Sequence, residues 1–228
     1  MTEKKYYKAY DDRYRQVHEQ NLQWFDENPS PIVAETIRDF MISRRHRILE
    51  IGCGEGRDAH SLLKQGFDLL ATDVSPEAIS FCQKRMPDYA ERFRVLDCVA
   101  DKTDDTFDFI YAVAVIHMLV PDADRNAFYG FIRQHLKPGG ISLICTMGDG
   151  IIERQTDIQT AFDLTERVHR QTGKAVRIAG TSCRMVNFQT FEKEIEQNGL
   201  AVIKKGVTAI PGFPQMMFAV VEKSRASL

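Results

Sequence analysis

The stretch Arg47-Ile-Leu-Glu-Ile-Gly-Cys-Gly-Glu-Gly-Arg-Asp58 decides the fold of this chain. Its apolar run, residues 48–51, predicts a short buried strand, glycines follow at once, and residues 57–63 begin a helical pattern. Glycines let the backbone turn tightly and approach a ligand closely, and the amides at the start of the next helix point toward that ligand. A strand, a glycine turn and a helix form the first half of a βαβ unit, which predicts an α/β fold with parallel strands.

The spacing of the glycines separates two kinds of ligand. A dinucleotide site needs G-x-G-x-x-G, but the third glycine would fall at Arg57. The chain has instead Gly52, Gly54 and Gly56 after the acidic Glu50, which resembles motif I of the class I S-adenosylmethionine-dependent methyltransferases. The resemblance implies that the glycine loop passes beneath the methionine moiety of the cofactor and that Glu50 helps to hold its ammonium group. The other interpretation is a glycine turn that binds no ligand. The residues downstream of the loop distinguish these two interpretations.

Composition limits the class of protein. The 228 residues suffice for one α/β domain with a full core and an inserted cap, and 43% hydrophobic with 27% charged residues is ordinary for a globular chain. A net charge of −2 argues mildly against a nucleic-acid substrate, which would need a large basic surface. The five cysteines are widely spaced without a C-x-x-C pair, which predicts no disulfide framework, no metal site and a reducing cytoplasmic location. No apolar run is long enough to span a membrane.

Two acidic residues follow the next predicted strands. Asp73 ends the second strand about 20 residues beyond the glycine loop, where a carboxylate can accept hydrogen bonds from both ribose hydroxyls, and Val74 follows it. Asp97 and Cys98 follow the third strand, and the resemblance implies that they offer a carboxylate to the adenine amino group and a backbone amide to a ring nitrogen. A solvated turn acid is the alternative for Asp73 and Asp97, and the position and spacing favour the ribose role for Asp73.

The end of the fourth predicted strand reaches the same edge of the sheet. Val113 lies there, and the resemblance implies that it faces the cofactor sulfonium. His117 follows four residues later, close to the expected active-site rim, where a histidine can act as a general base. A structural histidine that is satisfied by its neighbours is the other interpretation, and it is the more common one.

Two segments are expected to cover the site. Residues 1–30 predict a helical lid that contains Tyr14 as a cofactor contact, although most of its aromatic residues fit core packing as well. Residues 147–187 are longer than a simple connection needs and predict an inserted cap, with a helix over residues 156–172. Arg184 is the candidate substrate-binding residue of a basic cap whose other members, more often solvated surface residues, are Arg167, His169, Arg170 and Arg177.

These features occur in the order expected for the family. The resemblance covers the chain from about Arg47 to Cys145. A Lys-Pro-Gly-Gly turn at residues 137–140 precedes the fifth strand and is a further match. The resemblance implies one domain with a Rossmann-like, doubly wound sheet of seven strands, mostly parallel with an antiparallel C-terminal strand. It also implies that S-adenosylmethionine is the cofactor and that a methyl group passes to an N, O or S atom of a small-molecule acceptor.

Other functions remain open at this stage. A nicotinamide-dependent oxidoreductase is disfavoured by Arg57 and by the lack of a Tyr-x-x-x-Lys pair, whereas a cofactor-binding protein without turnover is not excluded. Nucleic-acid amino-methyltransferases carry an Asp/Asn-Pro-Pro-aromatic motif where this chain has Ala112-Val-Ala-Val115, and the chain contains no Pro-Cys pair. We expect no nucleic-acid and no membrane partner. The sequence does not distinguish a monomer from a homodimer.

Overall fold

A central sheet of seven strands organises the computed structural model, which describes residues 5–24, 27–169 and 171–224. The order in the sheet is β10-β11-β5-β4-β1-β2-β3. All neighbouring pairs are parallel except the two that β11 makes with β5 and β10. In chain order the strands are β1 (Arg47–Ile51), β2 (Asp68–Asp73), β3 (Phe93–Val95), β4 (Phe107–Val113), β5 (Leu136–Met147), β6 (Arg154–Gln155), β7 (Leu164–Val168), β8 (Ala175–Ala179), β9 (Arg184–Met185), β10 (Leu200–Ile210) and β11 (Phe213–Lys223). The predicted seven-stranded, mostly parallel sheet is confirmed.

Helices cover both faces of this sheet. They are α1 (Ala9–His18), α2 (Pro31–Asp39), α3 (Arg57–Lys64), α4 (Pro76–Arg85), α5 (Asp122–His135) and α6 (Phe188–Gln197). One apolar cluster joins α2, α3 and α4 to one face, and a second joins α5 and α6 to the other. Strands β1 and β4 are therefore buried on both sides, which explains why they read as continuous apolar runs.

Local signals in the sequence fix the helix ends that surround the site. Ser75 caps α4 by accepting a hydrogen bond from the Ala78 amide at 3.0 Å, and Pro76 takes the first helical position. The α5 helix ends at His135 and β5 begins at Leu136, so the predicted turn at residues 137–140 lies within the first part of β5, where Gly139 has a φ of 76°. The Ser75 cap starts α4 directly after the carboxyl end of β2, at the edge of the sheet onto which β1 and β4 also open.

The segment between β5 and α6 differs from the prediction of a helix over residues 156–172. It forms a short 3-10 turn at Ile158–Thr160 and an antiparallel hairpin of β7 and β8. The apolar residues of β8 alternate in burial, and Gly173 takes a φ of 69° in the turn that joins the two strands. The predicted helix is wrong because a period-two pattern with a glycine turn favours a hairpin.

The N-terminal segment packs on the same edge of the sheet as this hairpin. A 3-10 turn, Tyr6–Lys8, leads into α1, which contacts both β8 and α4. His18 at the end of α1 bonds Glu77 of α4 at 2.8 Å and Glu55 of the glycine loop at 3.0 Å. These two contacts hold α1 against α4 and against the glycine loop that precedes α3. The function of the N-terminal segment as a lid, like that of residues 147–187 as a cap, stays a prediction.

Within residues 5–24, 27–169 and 171–224, none of the helices has the length and the apolar character needed to cross a bilayer.

Candidate active site

A cleft runs along the carboxyl ends of β1, β2 and β4. Its floor is the glycine loop, where Gly52 and Gly54 have φ angles of 73° and 54°, a region that L side chains rarely adopt. A Cβ atom on Gly52 would lie 2.4 Å from Val115, and one on Gly54 would lie 2.6 Å from the Tyr14 hydroxyl. The glycines are therefore required both by the backbone conformation and by the close approach of the residues around the loop.

Glu50 lines the cleft where β1 ends. Its side chain is buried, and only 3% of the residue's surface is exposed. Its Oε2 atom has no hydrogen-bond partner among the residues that the structure describes. Burial, with the charge of Asp58 nearby, holds the pKa of Glu50 well above its usual range. Since an unpartnered buried carboxyl group is costly, this residue fits a ligand that brings a positively charged donor into the cleft.

Asp73 lies at the centre of the cleft, at the end of β2. Its Oδ2 accepts the Gly54 amide at 2.8 Å and its Oδ1 accepts the Ser75 amide at 2.9 Å. Burial nevertheless raises the pKa of Asp73 to about 6. The two amide bonds fix the orientation of the carboxylate and leave further lone pairs for hydroxyl donors of a ligand.

Asp97 lies at the far end of the cleft, after β3. The Tyr7 hydroxyl donates to its Oδ2 at 3.0 Å, and the Lys8 ammonium lies 3.6 Å from the same oxygen. The Val99 amide donates to its Oδ1 at 3.1 Å. Asp97 and Cys98 both line the cleft, so the three acidic residues follow one another along it in the order of the strands.

The remaining predicted cofactor contacts lie on the walls of the same cleft. Tyr14 is buried, with its hydroxyl above Gly54, and Val74 and Val113 line the wall. Tyr7 and Tyr10 line it too, although they were not predicted as site residues. Their helical spacing could have predicted this position, because Tyr7, Tyr10 and Tyr14 fall near one helix face.

A second cavity adjoins the cleft. The two share Tyr10, Ala114 and Met118 in their walls, so they meet directly beyond the end of β4. The second cavity contains about 2170 Å³ of empty volume, its opening to solvent included. Ala114 at the junction takes a φ of 61°, and so does Thr181 on the opposite wall. Backbone strain of this kind is concentrated at functional sites, where the surrounding structure holds it in place.

His117 lies on the wall of this second cavity and is only 3% exposed. Its Nδ1 atom has no hydrogen-bond partner among the described residues. Burial, together with the positive charges of Arg125 and Arg13, lowers the pKa of His117 to about 3. The ring is therefore neutral at physiological pH and a poor proton acceptor, which does not favour the general-base role that the sequence predicted.

Arg184 does not line the cavity, contrary to the substrate-binding role predicted for it. Its guanidinium donates to the Val120 carbonyl at 2.7 Å and to Asp122 at 2.5 Å, and it lies 3.7 Å from Glu194. These contacts tie β9 to the start of α5 and to α6. Other arginines of the structure, Arg13, Arg154 and Arg167, line the cavity instead, whereas the predicted Arg170 lies outside the described residues.

Comparisons with known proteins agree with this geometry. Residues 49–142 match the model of a family described as a methyltransferase domain. Magnesium-protoporphyrin O-methyltransferase of Rhodobacter capsulatus is 32% identical over 101 residues, which are 40% of this chain and 45% of that protein. Malonyl-[acyl-carrier protein] O-methyltransferase of Magnetococcus marinus is 29% identical over 121 residues, which are 51% of this chain and 44% of that protein. The chain thus spans less than half the length of these two relatives.

A solved structure extends the likeness over the whole fold. The 1,6-didemethyltoxoflavin-N1-methyltransferase of Burkholderia thailandensis, solved with 1,6-didemethyltoxoflavin and S-adenosylhomocysteine, superposes with a TM-score of 0.70. The match covers 99% of this chain and 92% of that one at 17% identity, so it establishes the fold. Residues 49–142 therefore resemble a methyltransferase domain, and the chain as a whole shares the fold of that solved methyltransferase.

Proposed function

We propose that the protein binds S-adenosylmethionine in the cleft and transfers its methyl group to a small-molecule acceptor in the adjoining cavity. One observation carries the proposal: three acidic residues, Glu50, Asp73 and Asp97, follow one another along a single cleft with a glycine floor. Their order suits the ammonium, the ribose hydroxyls and the adenine amino group of this cofactor. The unpartnered Oε2 of Glu50 supports the fit, since the ammonium is the donor that the buried carboxyl group lacks.

When bound, S-adenosylmethionine would supply an electrophilic methyl group on a positively charged sulfur, with a neutral thioether as the leaving group. The protein's own task is to hold the acceptor in line at the junction of the two cavities, where Tyr10, Ala114 and Met118 meet. Orientation of two reactants contributes up to about 7–11 kcal/mol in favourable cases. An assured general base is not needed for a thiolate or a neutral amine.

The relatives support a small-molecule acceptor without naming it. The relative from Rhodobacter capsulatus is called a magnesium-protoporphyrin O-methyltransferase, and the structural neighbour from Burkholderia thailandensis is called an N1-methyltransferase. The accepting atom therefore stays open among N, O and S. The cytoplasmic location, the lack of nucleic-acid partners and a monomeric or homodimeric state stay predictions from the sequence.

Methyl transfer can be tested directly. The purified chain is incubated with S-adenosylmethionine labelled in the methyl group and a small-molecule metabolite extract, and labelled products are separated by chromatography. We expect a labelled small molecule that depends on the protein and that Asp73→Ala forms more slowly when the cofactor is below saturation. Tight binding of the cofactor without any labelled product would favour the alternative of a binding protein without turnover.

We predict that His117 does not set the pH dependence of methyl transfer. Because the pKa of His117 is lowered to about 3, the ring stays neutral across the physiological range. His117→Gln should therefore change the rate without changing the shape of its pH profile between about pH 5.5 and pH 8.5. Loss of an acidic limb near pH 6.5 in the variant would show that His117 acts as a general base after all.

A further inference from the structure

The charges on the wall of the second cavity are strongly one-sided. Arg13, Arg154 and Arg167 line it, and no aspartate or glutamate does so among the residues that the structure describes. The cavity borders the proposed cofactor cleft at Ala114, so it is the place where a methyl acceptor would bind. The positive charges on the cavity wall therefore indicate which chemical class of acceptor the cavity would bind.

Arg13 is the buried member of this set, with 8% of its surface exposed. Its guanidinium donates to the carbonyls of Ala179 and Gly180 at 2.9 and 2.7 Å and to the Thr181 hydroxyl at 2.7 Å. It also lies 5.0 Å from the centre of the Trp24 ring. All these partners are neutral, so a buried positive charge remains without a carboxylate among the described residues.

Arg154 and Arg167 lie on the same wall but are exposed. Neither forms an ion pair with a carboxylate in the described part of the chain, and the Nε of Arg154 lies 3.1 Å from the Met185 sulfur. Arg184, in the same insertion, is by contrast paired with Asp122. The two exposed guanidinium groups are thus available for an anion, which arginine binds through paired N–H donors.

Three acidic residues of the insertion have other partners or face another residue. Glu153 accepts the Asn187 amide at 3.2 Å, and Asp157 caps the following 3-10 turn by accepting the Gln159 amide at 2.9 Å. Glu166 lies opposite Arg177 in the register of the β7–β8 hairpin, whereas Arg167 lies opposite Val176. The positive charge on the cavity wall is therefore not neutralised by the acids nearest to it in sequence.

The rest of the wall is largely apolar. Met118 and Met147 contribute thioether side chains, and Val168 adds an aliphatic one. Trp24 and Phe213 add two aromatic rings. Such a surface suits the hydrophobic body of a small molecule, while the arginines supply the few polar contacts that fix its orientation.

We propose that the methyl acceptor is a small organic anion with an apolar body, whose carboxylate or phosphate group is held by Arg154 and Arg167. The proposal rests on the proposed methyl transfer for the meaning of the cavity, but it predicts anion binding that can be measured without turnover. Arg13 contributes a buried positive charge and holds Gly180 and Thr181, which form part of the wall.

Matched acid and amide probes test this proposal by calorimetry on the full chain, with and without S-adenosylhomocysteine. The probes are benzoate and benzamide, phenylacetate and phenylacetamide, cinnamate and cinnamamide, with phenyl phosphate to distinguish the two anions. We expect at least one anion to bind about fivefold or more tightly than its neutral counterpart, with a preference that weakens at high salt. Preference for phenyl phosphate over every carboxylate would assign the phosphate.

Variants locate the anion. Arg154→Gln combined with Arg167→Gln should remove the preference for the anion, whereas Arg177→Gln, on the same hairpin but away from the cavity, should keep it. The affinity for S-adenosylhomocysteine should stay unchanged in both, so failure of cofactor binding and failure of anion binding are separate results. Equal binding of acids and amides, an unchanged preference in the double variant, or Arg167-dependent binding of tRNA without any small-anion preference would overturn the proposal.

Discussion

Replacing Asp73 with alanine should weaken the binding of S-adenosylmethionine by about tenfold or more. The carboxylate is held by the Gly54 and Ser75 amides and is proposed to accept the ribose hydroxyls. A hydrogen bond to a charged group contributes about 1.5–3 kcal/mol, and about 1.4 kcal/mol corresponds to a factor of ten in affinity. Calorimetric titration measures the effect, and Asp104→Ala, on the exposed loop after β3, is the matched control that should bind normally.

The same residue gives the affinity a pH dependence of known sign. The pKa of Asp73 is raised to about 6 in the free protein, and hydroxyl donors favour the charged form. The carboxylate is therefore ready to accept above this pH and must lose a proton below it, so affinity should fall as the pH drops through about 6. Between about pH 8 and pH 5 the loss approaches tenfold. Asp73→Asn should bind weakly at both values, and a wild-type affinity independent of pH would contradict the ribose assignment.

Replacing Glu50 with glutamine should have two effects of opposite sign. The cofactor affinity should fall by about tenfold or more, because the ammonium loses a charged partner in a buried site. The melting temperature of the free protein should rise by several degrees near pH 8, because the neutral amide avoids the cost of burying a charged carboxylate, which burial disfavours at this position. Titration and thermal unfolding of the same preparation measure both.

The size of the stability gain also depends on pH. The pKa of Glu50 is raised in the folded state, so its cost is absent below the unfolded pKa and grows as the pH rises through it. The gain from Glu50→Gln should accordingly be larger near pH 8 than near pH 5. Glu55→Gln is the contrast, since Glu55 accepts the Trp24 amide at 2.7 Å and bonds His18 at 3.0 Å. That variant should lower the melting temperature, and a loss of stability in both variants would contradict the account.

The sheet and the cleft were predictable because their signals are local. A buried run followed by three glycines specifies a strand, a turn and a helix, and the acids Asp73 and Asp97 each come directly after a strand. Parallel strands bring their carboxyl ends to the same edge, so positions far apart in sequence converge without further information. Short-range patterns therefore sufficed for the strands that end at the cleft, whereas the seven-stranded arrangement with its antiparallel C-terminal strand followed from the family resemblance.

The insertion and its arginines were not predictable in the same way. The sequence predicts a helix over residues 156–172, where the structure has β7, because the charged residues of this strand obscure the period-two pattern. Arg184 was chosen over Arg167 although the two have the same charge and lie in the same insertion. Their difference lies in long-range contacts, since Arg184 reaches Asp122 and Glu194 from other elements. Only the tertiary structure decides which arginine is already paired.

The protonation state of His117 was likewise not predictable from the sequence. Its position close to the end of β4 suggested a base, and the structure does place it on the cavity wall. Its pKa, however, is lowered by burial and by Arg125 and Arg13, which lie on two distant helices. Position along a chain therefore predicts where a side chain lies better than it predicts the protonation state of that side chain.

The measurement that tests the central claim most directly is a side-by-side calorimetric titration with S-adenosylmethionine, S-adenosylhomocysteine and NAD. We expect the first two to bind at micromolar concentrations and NAD not to bind, because the glycine loop carries Arg57 where a dinucleotide site needs its third glycine. Binding of NAD alone would contradict the account, and the cleft would then be that of an oxidoreductase.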